Sequence, residues 1–210
     1  MRLKKVKNAK EMIMESIYYV NNPQENIGNW TKVFKNENPI YIEIGMGKGK
    51  FILEMAETFP NINFIGIEKY DSVMIKAVKT LADKNLHNLK LILLDAENIE
   101  NVFNKEISRI YLNFSDPWPK SKHEKRRLTS ENFLIAYDKI FLDQKEIYQK
   151  TDNLNFFEFS KKSFISYGYR IDFITYDLKN ELNIFNVQTE YEERFVSKGI
   201  KINQINVSKD

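Results

Sequence analysis

The chain has 210 residues, no cysteine and two histidines, with 42% hydrophobic and 29% charged residues and a formal net charge of +3. That length fits one domain with a substantial core. The lack of cysteine excludes disulfides, thiolate nucleophiles and cysteine-ligated zinc. His87 and His123 are too far apart for an HExxH site, so no metal is expected. No apolar run nears the ~18 residues of a membrane span, and no signal-peptide core follows the basic start (Arg2, Lys4, Lys5, Lys7, Lys10). The expectation is a cytoplasmic protein with no membrane partner, monomeric or homodimeric. A net charge this small identifies no partner, so the placement of the charges has to.

Residues 1–39 read as a basic, partly helical lead-in, with turns at Asn22-Pro23 and Asn38-Pro39. Residues 40–210 read as one domain, without repeats or linkers. Strands are predicted at Ile40–Ile44, Asn63–Ile67, Leu89–Leu94, Arg109–Phe114, Glu146–Lys150, Tyr169–Tyr176 and Lys201–Val207. Amphipathic helices are predicted at Lys50–Thr58, Asp71–Lys84, Ser130–Phe141 and Leu154–Tyr167. Alternating strands and helices imply a doubly wound α/β fold: a mostly parallel seven-stranded sheet, covered on both faces, with an antiparallel hairpin at its C-terminal edge. Such folds bind ligands at the carboxyl ends of their strands.

The first predicted strand runs into Glu43-Ile-Gly45-Met-Gly47-Lys-Gly49. A dinucleotide fingerprint needs its third glycine one place later, where Lys50 stands, and the Gly-Lys-Ser/Thr of a phosphate-binding P-loop is absent. The Glu-x-Gly-x-Gly-x-Gly spacing resembles the first motif of the Rossmann-like class I methyltransferases, whose cofactor is S-adenosylmethionine. Glu43 could face the cationic end of that ligand. Glu68 closes the second strand and could take the ribose hydroxyls. Asp95 closes the third and could accept from the adenine amino group, with Ala96 offering a backbone donor. Taken singly, Glu68 and Asp95 could equally be helix caps, and Glu43 a surface glutamate beside a glycine turn. Three of them at successive strand ends beside a glycine turn favour a cofactor site.

The fourth predicted strand ends in Asn113-Phe-Ser-Asp116-Pro-Trp-Pro, a stiff turn because each proline fixes φ and restrains its predecessor. Lys120-Ser-Lys122-His123-Glu124-Lys125-Arg126-Arg127 follows. Beside a candidate reacting carboxylate, that run reads as a phosphate-binding rim rather than an ordinary solvated face.

The stretch Asn113–Lys120, the run His123–Leu128, and the later Lys150-Thr-Asp152-Asn and Thr189-Glu190-Tyr191-Glu192 segments resemble the bacterial tRNA (guanine-N7-)-methyltransferase family, from about Asn29 to near the C-terminus. The basic lead-in lacks that family's arginine-rich spelling. The resemblance implies Glu43, Gly45, Gly47, Gly49, Glu68, Asp95, Ala96, Asn113 and Asp116 at the cofactor, with Asp116 also at the reaction centre. It implies Lys120, Asp152, Thr189, Glu190, Tyr191 and Glu192 at the target nucleotide, and Lys122, His123, Glu124, Lys125, Arg126 and Arg127 on tRNA. The implied product is 7-methylguanosine in the variable loop. The alternatives are a same-fold methyltransferase acting on another RNA, a protein or a small molecule, and a non-catalytic RNA-binding module. A nicotinamide-dependent reductase is disfavoured by the misplaced glycine.

Overall fold

The computed structural model describes residues 6–182 and 184–210. One sheet is built from β1 (Ile40–Ile44), β2 (Asn63–Glu68), β3 (Leu89–Leu93), β4 (Ile107–Asn113), β5 (Phe141–Thr151), β6 (Arg170–Thr175) and β7 (Asn203–Lys209). The strand order is β3-β2-β1-β4-β5-β7-β6. The first five strands run parallel, and β7 lies antiparallel between β5 and the outermost strand β6. The helices are α1 (Ala9–Met14), α2 (Trp30–Phe34), α3 (Lys50–Thr58), α4 (Asp71–Leu81), α5 (Glu131–Ile140), α6 (Leu154–Ser166) and α7 (Glu190–Val196). Among the described residues, no helix is long and apolar enough to cross a membrane.

Strand alternation divides the core. Ile42, Ile44, Ile110, Leu112, Ile147, Ile205 and Val207 pack with Phe34, Tyr137, Phe157 and Phe164 of α2, α5 and α6. Fully burying one such aliphatic chain contributes about 1.5–3 kcal/mol. The opposite face packs Tyr111 against Phe51, Met74 and Ala77 of α3 and α4. Glu43, Asn113 and Lys150 are buried polar residues on three adjacent strands, where alternation turns all three toward this second face.

Several element ends shift from the sequence expectation: α4 stops at Leu81 rather than Lys84, and β4 starts at Ile107 rather than Arg109. β5 begins at Phe141, which the helical pattern had absorbed into α5; its backbone is extended (φ −67°, ψ 138°), ending the helix there. The C-terminal strand begins at Asn203 and runs to Lys209. The lead-in is woven into the fold on both faces. α1 packs on α4, Tyr19 bridges Leu91 in parallel, and the fully buried Trp30 donates its indole N–H to the Val102 carbonyl at 2.7 Å. Lys7 and Lys10 are exposed; Arg2, Lys4 and Lys5 lie outside the described residues.

Candidate active site

Strand order reverses between β1 and β4, the place where doubly wound sheets open a ligand crevice. From the outer edge inward, the strand ends carry Asp95 after β3, Glu68 on β2, the glycine turn after β1, Asn113–Asp116 at β4 and Asp152 after β5.

The glycine turn is fastened to β2. The amides of Gly45 and Met46 donate to the Ile67 carbonyl at 2.9 and 3.0 Å, and the Gly47 amide donates to Glu68 Oε2 at 3.1 Å. Gly47 has φ 61°, and the space where a Cβ would project is open. Gly49 is needed for a different reason: a Cβ there would meet Ala77 Cβ of α4 at 2.7 Å. The first two glycines therefore keep a crevice clear, and the third lets α3 pack against α4.

Glu68 Oε1 also accepts from the amides of Lys69 and Tyr70 at 2.8 and 3.0 Å. Burial raises its pKa, these amides oppose the rise, and the nearby Asp116 charge adds to it. Asp95 caps the short 3-10 helix Ala96–Asn101 through the Glu97 amide at 3.3 Å and pairs with Lys69 at 2.5 Å. It therefore acts as a cap and still lies on the crevice side of its strand end.

Glu43 Oε1 accepts from Asn113 Nδ2 at 2.9 Å, bridging β1 and β4 across the switch point. Its other oxygen, Oε2, is buried and without a hydrogen-bond partner among the described residues. Burial pushes the Glu43 pKa up to about 7, opposed by the Asn113 hydrogen bond and the Lys150 charge and reinforced by the charges of Glu190 and Glu68. A buried carboxylate oxygen without a partner, on the strand that runs into an open glycine turn, fits a cationic, hydrogen-bond-donating ligand. That is the chemistry of an amino-acid ammonium, and the residues present suit S-adenosylmethionine.

Next to Asn113 the chain leaves β4 under strain. Phe114 (φ 53°) and Trp118 (φ 42°) are both left-handed, a conformation that costs a non-glycine residue on the order of 1–3 kcal/mol. Trp118 also precedes a proline, which narrows its options further. Asp116, between them, is exposed. The basic run forms a 3-10 turn, Ser121–Arg126. Lys120, Lys122, Lys125 and Arg126 are exposed; His123 packs edge-on against Trp118, and Arg126 lies over the same ring at 5.1 Å. Arg127 turns inward. Its Nε and Nη2 donate to the carbonyls of Pro117 and Trp118 at 3.1 and 3.2 Å.

Opposite this turn stands α7. Its N-cap Thr189 accepts from the Glu192 amide at 3.0 Å. Lys150, two residues before the exposed Asp152, donates to Glu192 Oε2 at 3.0 Å, to the Val187 carbonyl at 2.9 Å and to Asn186 Oδ1. Burial lowers the Lys150 pKa, and the charge of Glu192 works against that. Lys50 of α3 pairs with Glu193. Tyr191 is exposed and lies nearly parallel to Phe114, ring centroids 6.2 Å apart. In the Thr189–Glu192 segment, then, Thr189 and Glu192 are buried and hold the helix, while Glu190 and Tyr191 border the crevice. The cap of α6 is the neighbouring Asn153, which accepts from the Phe156 amide at 2.9 Å, and Asp152 makes no capping hydrogen bond among the described residues.

Sequence reasoning passed over Lys150 and Asn186 as individual site residues and did not place α7 as a helix. The Thr189-x-x-Glu192 capping spacing was the available signal. A cavity of about 260 Å³ lies beneath Asn113 and Lys150 on the sheet face, lined also by Tyr41, Tyr148 and Phe185. Of the two cations that line it, Arg109 is paired with Glu146 and sandwiched between the rings of Tyr41 and Tyr148, and Lys150 is held by Glu192. Among the described residues, no cluster of metal-ligating side chains occurs.

Residues 37–205 match a family described as putative methyltransferase. The tRNA (guanine-N(7)-)-methyltransferase of Geobacillus sp. (strain WCH70) is 52% identical over 204 residues, 96% of this chain and 93% of that protein. Its counterpart in Bacillus cytotoxicus is 48% identical over 98% of this chain and 95% of that protein. Among solved structures, an antibiotic-related methyltransferase superposes with a TM-score of 0.65 at 18% identity, over 90% of this chain and 95% of that one. The 16S rRNA methyltransferase KamB follows with a TM-score of 0.64 at 12% identity, over 86% and 92%. Distant structures of this kind establish the fold, and the near relatives establish more: the chain belongs to the tRNA (guanine-N7-)-methyltransferase family.

Proposed function

We propose that this chain transfers a methyl group from S-adenosylmethionine to N7 of a guanine in the variable loop of tRNA, in the cytoplasm. The observation that carries the reading is the orphaned, buried Glu43 oxygen at the switch point, flanked by the open glycine turn, Glu68 and the strained turn bearing Asp116. The near relatives supply the substrate class.

Glu43, Gly45 and Gly47 would hold the amino-acid end of the cofactor, Glu68 the ribose, and Asp95 with Ala96 the adenine. When bound, S-adenosylmethionine supplies an electrophilic methyl on a sulfonium centre. Guanine N7 has a free lone pair, so no base must remove a proton before the new C–N bond forms and the C–S bond breaks. The protein's task is alignment of the two reactants, which can supply about 7–11 kcal/mol. The purine becomes cationic on methylation, and the Asp116 carboxylate is suited to stabilise that charge as it develops. Glu190, Tyr191, Lys120 and Asp152 would meet the base, where acids can accept from the guanine N1 and amino protons. Lys122, Lys125 and Arg126, with His123 against Trp118, form a rim for tRNA phosphates.

The test is incubation of purified protein with methyl-labelled S-adenosylmethionine and unmodified tRNA, followed by nucleoside analysis. Label in 7-methylguanosine is expected. Label in another nucleoside would remove the guanine assignment and keep the reaction class.

A further inference from the structure

Arg126 and Arg127 are neighbours in a basic run, yet the fold uses them in opposite ways. Arg126 is exposed, its guanidinium over the outer face of Trp118. Arg127 has a side chain only 12% exposed. Its guanidinium lies 4.2 Å from the ring centre of Phe159 on α6 and donates to two successive carbonyls, Pro117 and Trp118; Glu124 sits 3.6 Å away. Those carbonyls belong to the turn that presents Asp116. Pro117 and Pro119 have no N–H, so the turn has few backbone donors of its own. It contains a left-handed Trp118 ahead of a proline, a conformation that persists only where the surroundings hold it. A planar fork stacked on an aromatic ring matches two adjacent acceptors in a way a lysine ammonium does not.

We propose that Arg127 is a positioning residue that sets the Asp116–Trp118 turn in its reactive shape, and that it is not a tRNA phosphate contact. The assignment rests on the methyl-transfer reading above and divides the basic run: Arg126 faces the polyanion, and Arg127 faces the protein. A phosphate on Arg127 would have to displace two carbonyls and a carboxylate from a largely buried group.

The experiment compares Arg127→Gln, Arg127→Lys and Arg126→Gln in the full-length protein. Four quantities are read: the single-turnover methylation rate at saturating tRNA and cofactor, the cofactor affinity, the slope of log Kd for tRNA against log salt, and acrylamide quenching of tryptophan fluorescence. Trp30 is fully buried, so changes in quenching report on Trp118. Arg127→Gln is expected to slow methyl transfer by roughly ten- to a hundredfold, raise quenching and leave the salt slope unchanged. Arg127→Lys is expected to recover part of the rate, because an ammonium can reach one carbonyl. Arg126→Gln is expected to flatten the salt slope by about one phosphate contact, and to raise quenching only by uncovering the ring it lies over. A flattened slope with wild-type rate and quenching in Arg127→Gln would overturn the proposal. Equal losses of cofactor affinity and rate, with no recovery by lysine, would also overturn it, since they mark general structural support. If Arg127→Gln does not fold, Phe159→Leu removes the stacking platform alone and should raise quenching at unchanged salt slope; unchanged quenching there counts against the proposal. If wild-type protein methylates no tRNA, the functional reading fails, while quenching and salt slope still decide what Arg127 holds.

Discussion

Lys150 Nζ lies 3.0 Å from Glu192 Oε2, and both side chains are buried, so the end of β5 and the start of α7 are joined by an ion pair shielded from water. Asn186 completes it, its Oδ1 accepting a hydrogen bond from Lys150 and its Nδ2 donating to Glu192 Oε1 at 2.5 Å. Removing one partner of a buried pair strands the other charge, at a cost of about 3–5 kcal/mol. Lys150→Met and Glu192→Gln should each lower unfolding free energy in urea by an amount in that direction, Glu192→Gln by less because its amide keeps hydrogen bonds. The double variant Lys150→Met/Glu192→Leu should lose less than the sum of Lys150→Met and Glu192→Leu measured alone. Additive losses would mean the pair contributes no coupling.

How much of this was visible in the sequence depended on whether the signal was local. The Ile40, Ile42, Ile44 alternation and the glycine turn are written within a few residues, and β1 and its turn fall where they were expected. Asp116 was marked by its prolines. By contrast, α7 is short and crowded with Glu190, Glu192 and Glu193, and it is held by Lys150 and Lys50, which lie 42 and 143 residues away in the chain. No window along the chain contains those partners. Arg126 and Arg127 were indistinguishable as charges, because only packing against Phe159 separates them. Nor does the sequence say which of the adjacent Asp152 and Asn153 caps α6; in the fold it is Asn153.

Asp116→Asn keeps the turn's shape and removes the charge beside Glu68. Methyl transfer should fall by roughly a hundredfold or more at saturating substrates, by analogy with losing one preorganised electrostatic group. Cofactor affinity, measured by calorimetry, should stay within a few-fold of wild type, because Glu43 and the glycine turn are untouched. Retention of full turnover would remove Asp116 from the reaction centre.

The rim should be read through salt. Lys122, Lys125 and Arg126 are exposed and side by side. Alanine at all three should weaken tRNA binding most at low salt and flatten log Kd against log salt by about 2–3. Cofactor affinity should be unchanged. An unaltered slope would place the phosphates elsewhere on the protein.

Glu43 makes the ligand-free protein pH-sensitive in a defined direction. Its pKa in the fold is about 7 against an ordinary 4.5, with burial the largest cause. A carboxyl raised on folding binds more protons in the native than in the unfolded chain between those values. Its contribution to stability is therefore fully present below about pH 4.5 and is lost as pH rises through about 7, a loss on the order of 3 kcal/mol. Glu43→Gln should flatten that part of the stability profile in urea titrations from pH 5 to 8. A cationic ligand reverses the preference, since an ammonium against Oε2 favours the carboxylate. Binding of S-adenosylmethionine below pH 7 should then release close to one proton, seen as a calorimetric enthalpy that varies with the buffer's ionisation enthalpy. Affinity should rise with pH up to about 7 and level off above it. Glu43→Gln should abolish both the proton release and the pH dependence. If proton release persists in Glu43→Gln, some other group meets the ammonium, and the orphaned oxygen at the switch point has a different purpose.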